Sequence, residues 1–257
     1  MQLHSTDNLN SQERNLLLTL CYDGTRYHGW QVQNNALSVQ QVFQDAVFPI
    51  LGGTHDIKGC SRTDTGVHAN RYCVSIKTQN RIACERLVAA LNNRLPSDVS
   101  VLDCKSVPLD FHARYSCKGK EYVYKIWNCS ERNPFLHNYA LHYPYKLDVD
   151  ALDKAAQDFC GTHDFSSLCS IGGKKQDNTR NVFSCEVARD GNLVTFTTSA
   201  DGYLYNMVRI MVGTLLRVAQ GKFAPDSIPE ILKACDRSVA GPTAPAHGLY
   251  LNRIFYD

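Results

Sequence analysis

The densest group of residues able to do chemistry is Gly59-Cys60-Ser61-Arg62-Thr63-Asp64-Thr65-Gly66-Val67-His68-Ala69, a polar segment between two strand-like stretches. Loops held by flanking strands are where reactive groups are usually mounted. Arg62 and Asp64 stand two residues apart, so an extended backbone points both side chains to one face. An arginine beside a carboxylate lowers its pKa and keeps it ionised. That suits a nucleophile or a charge stabiliser and disfavours a general acid. The competing use of Asp64 is to cap its own turn through the amides of Thr65 and Gly66. Asp64-Thr65-Gly66 also matches the tripeptide of aspartic proteases, where two carboxylates share one proton. No second such tripeptide occurs in the chain. A twofold partner would have to supply it, and Arg62 opposes a shared proton.

The elements that must hold this segment follow from periodicity. Leu16 to Tyr22 is a short apolar run suited to a buried strand, ended by Asp23-Gly24. Val39, Val42, Phe43, Ala46 and Val47 fall at helical spacing after Ser38, which with Gln41 offers a capping box. Pro49 should end or distort that helix, and Gly52-Gly53 stops it. Strands are expected over 72–76, 99–104, 121–127, 182–188, 193–199 and 249–256. Helices are expected over 82–94, after a cap at Asp148, over 203–219 and over 226–235. The mixture points to an α+β fold with antiparallel sheet and helices on one side. Two halves, 15–130 and 131–257, follow a polar tail over 1–14 that is expected to be flexible.

Tyr122, Tyr124 and Ile126 share one face of a strand, which is ordinary core packing or an aromatic platform. Arg209 sits in a helix that is apolar nearly all round, where a buried guanidinium demands an anion. A structural aspartate or a functional one would serve equally. Arg26, Arg114, Lys118 and Lys120 are candidate phosphate contacts or plain solvated charges. His68 and His112 read as groups that fix loops.

Composition narrows the class. The chain has 257 residues, 44% hydrophobic and 20% charged, with a formal charge of +2. A disordered or fibrous chain is excluded. No apolar run reaches the roughly 18 residues of a membrane span. The polar N-terminus lacks the pattern of a signal peptide, so a cytoplasmic protein is expected. Eleven cysteines without any Cys-x-x-Cys read as reduced thiols, and no metal site is expected. Charge is uneven: residues 58–132 hold 13 basic and 7 acidic side chains, a net of +6 inside a mildly acidic frame. Such a patch fits an anionic polymer.

The segment Cys60 to Ala69 resembles the catalytic motif of the TruA family of tRNA pseudouridine synthases. The resemblance extends through Tyr22-Asp23-Gly24, Gly29-Trp30-Gln31, Leu95-Pro96, Phe111-His112-Ala113-Arg114 and Tyr122-x-Tyr124. It continues through Gly161-x-x-Asp164-Phe165-Ser166, Met207-Val208-Arg209 and Gly248-Leu249-Tyr250-Leu251, in family order. It implies isomerisation of uridine to pseudouridine at positions 38, 39 and 40 of the tRNA anticodon stem-loop, without metal or organic cofactor. By the same resemblance Asp64 is the catalytic carboxylate, Arg62 its ion-pair partner, Tyr122 the residue stacked on the target base, and Arg209 the completion of the pocket. The implied fold is two α+β halves around a central basic RNA-binding cleft, in a homodimer. Ser61 departs from the family, which commonly has glycine there. If that position needs positive φ, serine would shift Arg62. A non-catalytic RNA-binding protein and a dimeric aspartic hydrolase are the alternatives.

Overall fold

The computed structural model describes residues 13–170 and 177–257. In chain order they form β1 (Arg14–Tyr22), α1 (Val39–Leu51), β2 (Lys58–Gly59), β3 (His68–Thr78), α2 (Cys84–Asn92), β4 (Val99–Val107) and β5 (Gly119–Trp127). Then follow β6 (Leu141–His142), α3 (Val149–Gln157), β7 (Gly161–Asp164), β8 (Thr179–Asp190), β9 (Leu193–Ala200), α4 (Met207–Ala219), α5 (Ile228–Ala234) and β10 (Leu249–Phe255). The flexible tail expected over 1–14 lies outside the described residues as far as residue 12, and Arg14 is already paired with Thr78 in the sheet.

The ten strands make one sheet in the order β4-β1-β3-β10-β5-β9-β8-β7, with β2 on β3 and β6 on β5. Pairing is antiparallel except for β10 with β3 and β5 with β6. The α+β expectation therefore stands, and the sheet has no break at residue 130. Its centre is instead built from distant parts of the chain, with β10 between β3 and β5. In β1, Leu16, Leu17, Leu18 and Leu20 are all buried, so both faces are covered and the apolar run needs no alternation. Tyr122, Tyr124 and Ile126 of β5 are buried on one face, as their spacing requires.

Ser38 caps α1 by accepting the Gln41 N–H at 3.3 Å, but the Gln41 side chain turns to Asp45 Oδ1 at 2.9 Å. Only half of the capping box forms. The helix also runs through Pro49 to Leu51. Both Pro49 and Asp45, whose carbonyl loses its helical donor, are exposed, so water can satisfy that oxygen. Asp148 caps α3 through the Ala151 N–H. The short strands β2, β6 and β7 have no apolar alternation and exist through their pairing partners.

Helix α4 begins four residues later than its apolar pattern suggests, at Met207, and buries eight of its residues. Its placement depends on Gly213, where a Cβ would stand 1.7 Å from the Pro242 carbonyl oxygen. Backbone meets backbone there, and the segment after Pro242 delivers the Ala244 carbonyl to Arg209. Gly213→Ala is expected to cost about 1–3 kcal/mol or more, because no flexible atom can give way. Thermal denaturation checks it.

Candidate active site

Asp64 lies on the loop between β2 and β3, and the chain upstream clamps that loop through backbone contacts. Trp30 N–H donates to the Thr63 carbonyl at 3.3 Å, and Gly66 N–H to the Tyr27 carbonyl at 3.1 Å. Tyr22 Oη lies 2.8 Å from Thr63 Oγ1. Gly29 has φ +80°, and a Cβ there would sit 2.2 Å from the Thr63 carbonyl oxygen. Only glycine allows that approach. The Tyr22 to Trp30 segment is thus the mould that shapes the Asp64 loop.

The Asp64 carboxylate does not cap its own turn. Its side-chain partner is Arg209, with Nη1 3.4 Å from Oδ2 and side-chain exposures of 17% for Arg209 and 26% for Asp64. Arg209 is itself fixed: Nε donates to the Ala244 carbonyl at 2.7 Å, and Nη1 donates to Asn206 Oδ1 at 2.7 Å. Asn206 reaches further, donating to Ser170 Oγ at 2.8 Å. Arg62, expected as the ion-pair partner, is exposed and forms no ion pair among the described residues. The helix arginine takes the place because α4 brings it against the Asp64 loop, whereas Arg62 lines the cavity without pairing with the carboxylate.

Burial raises the Asp64 pKa above the ordinary aspartate value, with the Arg209 charge and hydrogen bond opposing it. The sequence expectation of a lowered pKa is corrected by this desolvation. Arg209 keeps a carboxylate available where an apolar wall alone would neutralise it.

A cavity of about 430 Å³ opens beside this pair. Arg62, Asp64, Tyr122 and Arg114 line it, as do Lys120 and Tyr203. Tyr122 meets Tyr203 edge-on, ring centroids 5.1 Å apart at 83°. Burial raises the Tyr122 pKa, so its phenol stays protonated. Its Oη is 3.4 Å from Ser61 Oγ, which lies 3.5 Å from Lys120 Nζ. Ser61 brings no backbone strain: among described non-glycine residues only Asn206 and Cys235 have positive φ. The side chain simply adds a hydroxyl to the cavity. If a nucleotide base stacks on Tyr122, as the motif resemblance implies, Tyr122→Leu, which removes the flat ring, should lower kcat/KM by about 5- to 150-fold, the equivalent of 1–3 kcal/mol of base stacking. Steady-state kinetics check it.

The remaining candidates separate. Arg114 is exposed and lines the cavity. Lys120 is no plain surface charge; it is partly enclosed by the cavity wall, and burial lowers its pKa. Lys118 is exposed away from the lining, and Arg26 pairs with Asp98 at 2.6 Å. His68 ties loops together, accepting the Gly24 N–H on Nδ1 at 2.9 Å with Nε2 2.9 Å from the Asn138 carbonyl. His112 Nδ1 accepts the Arg114 N–H at 3.0 Å. Tyr203 and Asn206 were hidden from sequence reasoning because residues 203–206 read as the first turn of the helix. The available signal was the asparagine, which tolerates the left-handed backbone it adopts here at φ 62°.

Among the described residues no helix is long and apolar enough to cross a membrane, and no group of three or more metal-ligating side chains converges. All eleven cysteines are free thiols.

A family model described as tRNA pseudouridine synthase matches residues 20–116 and 155–257. The chain is 44% identical over 243 residues to a tRNA pseudouridine synthase A of Caldicellulosiruptor saccharolyticus, covering 95% of this chain and 100% of the relative. It is 43% identical over 243 residues to the tRNA pseudouridine synthase A of Clostridium acetobutylicum, with the same coverage. The relative of that name from Geobacillus kaustophilus is 41% identical over 239 residues, covering 93% of each chain. A crystal structure of a Cbf5-Nop10-Gar1 complex overlays 91% of this chain and 57% of its own at 12% identity, TM-score 0.38. Both matched segments contain their half of the ion pair, Asp64 in the first and Arg209 in the second. The chain belongs to the tRNA pseudouridine synthase family.

Proposed function

We propose that this protein isomerises uridine to pseudouridine in tRNA, at positions 38, 39 and 40 of the anticodon stem-loop. It does so as a cytoplasmic homodimer, with Asp64 as the catalytic carboxylate. The observation that carries the reaction is the Asp64–Arg209 pair at a cavity walled by Tyr122 and Tyr203. The positions and the homodimer are supported by the motif resemblance running from Tyr22 to Leu251.

Uridine and pseudouridine are isomers, so the reaction consumes nothing. The C1′–N1 bond breaks, the freed uracil turns, C5 bonds to C1′ and gives up its proton, and N1 ends with a proton in place of the sugar. Each demand has a group to meet it. The target base must leave its stack, at a cost of a few kcal/mol. Stacking on the Tyr122 ring recovers part of that. The Asp64 carboxylate, kept ionised by Arg209, acts on the opened nucleotide. Arg62, Arg114 and Lys120 supply positive charge for the strand, Lys120 from within the wall.

The test is pseudouridine mapping on unmodified tRNA transcripts treated with purified protein. Product at positions 38–40 is expected. Product only elsewhere would correct the positions, and RNA binding without any product would replace the reading with a non-catalytic RNA-binding protein. Light scattering should give the mass of a dimer.

A further inference from the structure

A second cavity, of about 300 Å³, lies directly behind the first and shares Ser61, Arg62 and Arg114 with it. Two of its lining residues are nine-tenths buried and carry a donor with no protein acceptor among the described residues, each donor reaching the cavity surface. One is the Trp30 indole, 2% exposed and stacked on Tyr72 at 4.1 Å. The other is the Gln40 amide, 8% exposed. Gln40 Oε1 accepts from Gln31 Nε2 at 3.1 Å and from Val32 N–H at 3.3 Å. A backbone N–H can only donate, so the orientation is fixed and the NH₂ end is left over. Both donors open on the cavity and are free to bond acceptors of whatever occupies it.

The charges indicate the class of ligand. Lys58 and Asp56 also line this cavity, but they pair with each other at 2.6 Å and cancel. Arg62 and Arg114 remain as excess cations on the shared wall. Tyr115 adds a ring that is 78% exposed, with the Arg114 guanidinium carbon 5.9 Å from its centroid. Cations for phosphate, a largely exposed aromatic ring that His112 backs at 4.4 Å, and two cavity-lining donors for carbonyl or ring-nitrogen acceptors together describe a nucleotide. A phosphate alone would leave the donors and the ring unused.

We infer that this second cavity is a subsite for the nucleotide bordering the target uridine in the same RNA strand. The shared arginine wall carries the argument: a strand whose uridine enters the first cavity places its neighbour against the same two guanidinium groups. The inference rests on the proposal that RNA is the substrate. It makes Gln40 and Trp30 positioning residues, removed from the reacting bond.

The test pairs protein and RNA changes. Short anticodon-arm RNAs carry an abasic nucleotide on the 5′ or the 3′ side of the target, and are measured with wild type, Gln40→Leu and Tyr115→Ala. In wild type, an abasic site on one flank should weaken Kd and raise KM about tenfold while kcat holds. In either variant the same RNA change should add less than about twofold, because the interaction is already lost. Penalties that multiply at both flanks overturn the subsite, as does a wild type indifferent to both abasic RNAs. Should Gln40→Leu fail to fold by circular dichroism, the exposed Tyr115 decides alone. The Kd cycle reads the subsite without turnover. Non-additive Kd values with no product would therefore fail the reaction and keep the subsite, and additive values with normal product would do the reverse.

Discussion

Asp64→Asn is expected to reduce pseudouridine formation by at least roughly 10³-fold while tRNA binding stays within a few-fold of wild type. The loss follows from the role of a positioned carboxylate, for which 10²–10⁴ is the ordinary scale. The retained affinity follows because phosphate contacts dominate nucleic-acid binding and the substitution removes none of them. The same variant carries a second expectation of opposite sign. Burial raises the Asp64 pKa even with Arg209 alongside, so the native state binds that proton more tightly than the unfolded chain does. The group therefore stabilises the fold below its unfolded pKa, and that contribution is lost as pH rises through the folded value. At neutral pH the ionised Asp64 is a net burden, and Asn, shaped like the neutral acid, should raise Tm. The gain should shrink as pH is lowered towards the range where Asp64 is itself protonated. A dead enzyme that melts higher at pH 7, by scanning calorimetry, is the expected pair of results. A variant that melts lower at pH 7 would mean that the pair with Arg209 outweighs desolvation.

Arg209→Met should have the next largest effect, roughly a 10²-fold loss of kcat, the scale for removing one preorganised electrostatic group. Without the guanidinium, desolvation of Asp64 is unopposed and its pKa rises further. Activity needs the carboxylate, so the acidic limb of the pH–rate profile should move to higher pH than in wild type. Arg209 also holds the Ala244 carbonyl and Asn206 Oδ1, and charged hydrogen bonds of this kind are worth about 1.5–3 kcal/mol each when both partners are buried. With Arg209 part-exposed, the loss of stability should fall near the lower figure. Arg209→Lys separates the two roles. It keeps the charge, and hence the acidic limb near its wild-type position, but loses the fork and melts lower. A pH profile unmoved in Arg209→Met would sink the assignment of Arg209 as the counter-charge.

Much of this was legible from residue types. The apolar run in β1, the serine cap of α1, the Asp148 cap and the alternating tyrosines of β5 each had one physically sensible state. The same holds for a guanidinium inside an apolar helix, which must find an anion. What sequence could not supply was which anion. Arg62 stands two residues from Asp64 and Arg209 stands 145 residues away, yet the distant one makes the bond. Local spacing sets a shared face and says nothing of which arginine reaches the carboxylate. For Lys120 the sequence left a phosphate contact and a solvated charge open for a related reason: whether a lysine beside a glutamate is enclosed depends on β5 lying mid-sheet. The condition under which Ser61 would have shifted Arg62 does not arise, because the positive φ values here belong to Gly29 and Gly66. Asn206 was overlooked because its work is done by a backbone conformation that no periodicity reports.

The placement of β10 bears on how the molecule is made. Until synthesis reaches residue 255, β3 and β5 have no common neighbour, and each presents an open edge of backbone donors and acceptors. A nascent chain that already holds Asp64 and Arg209 still lacks the strand that sets one wall of the cavity against the other. Closure of the sheet joins residues as far apart as His68 and Tyr250, a loop whose entropy must be met before the pairing is rewarded. A chain that stops short of β10 should therefore be catalytically silent and prone to self-association, with this strand acting as the keystone.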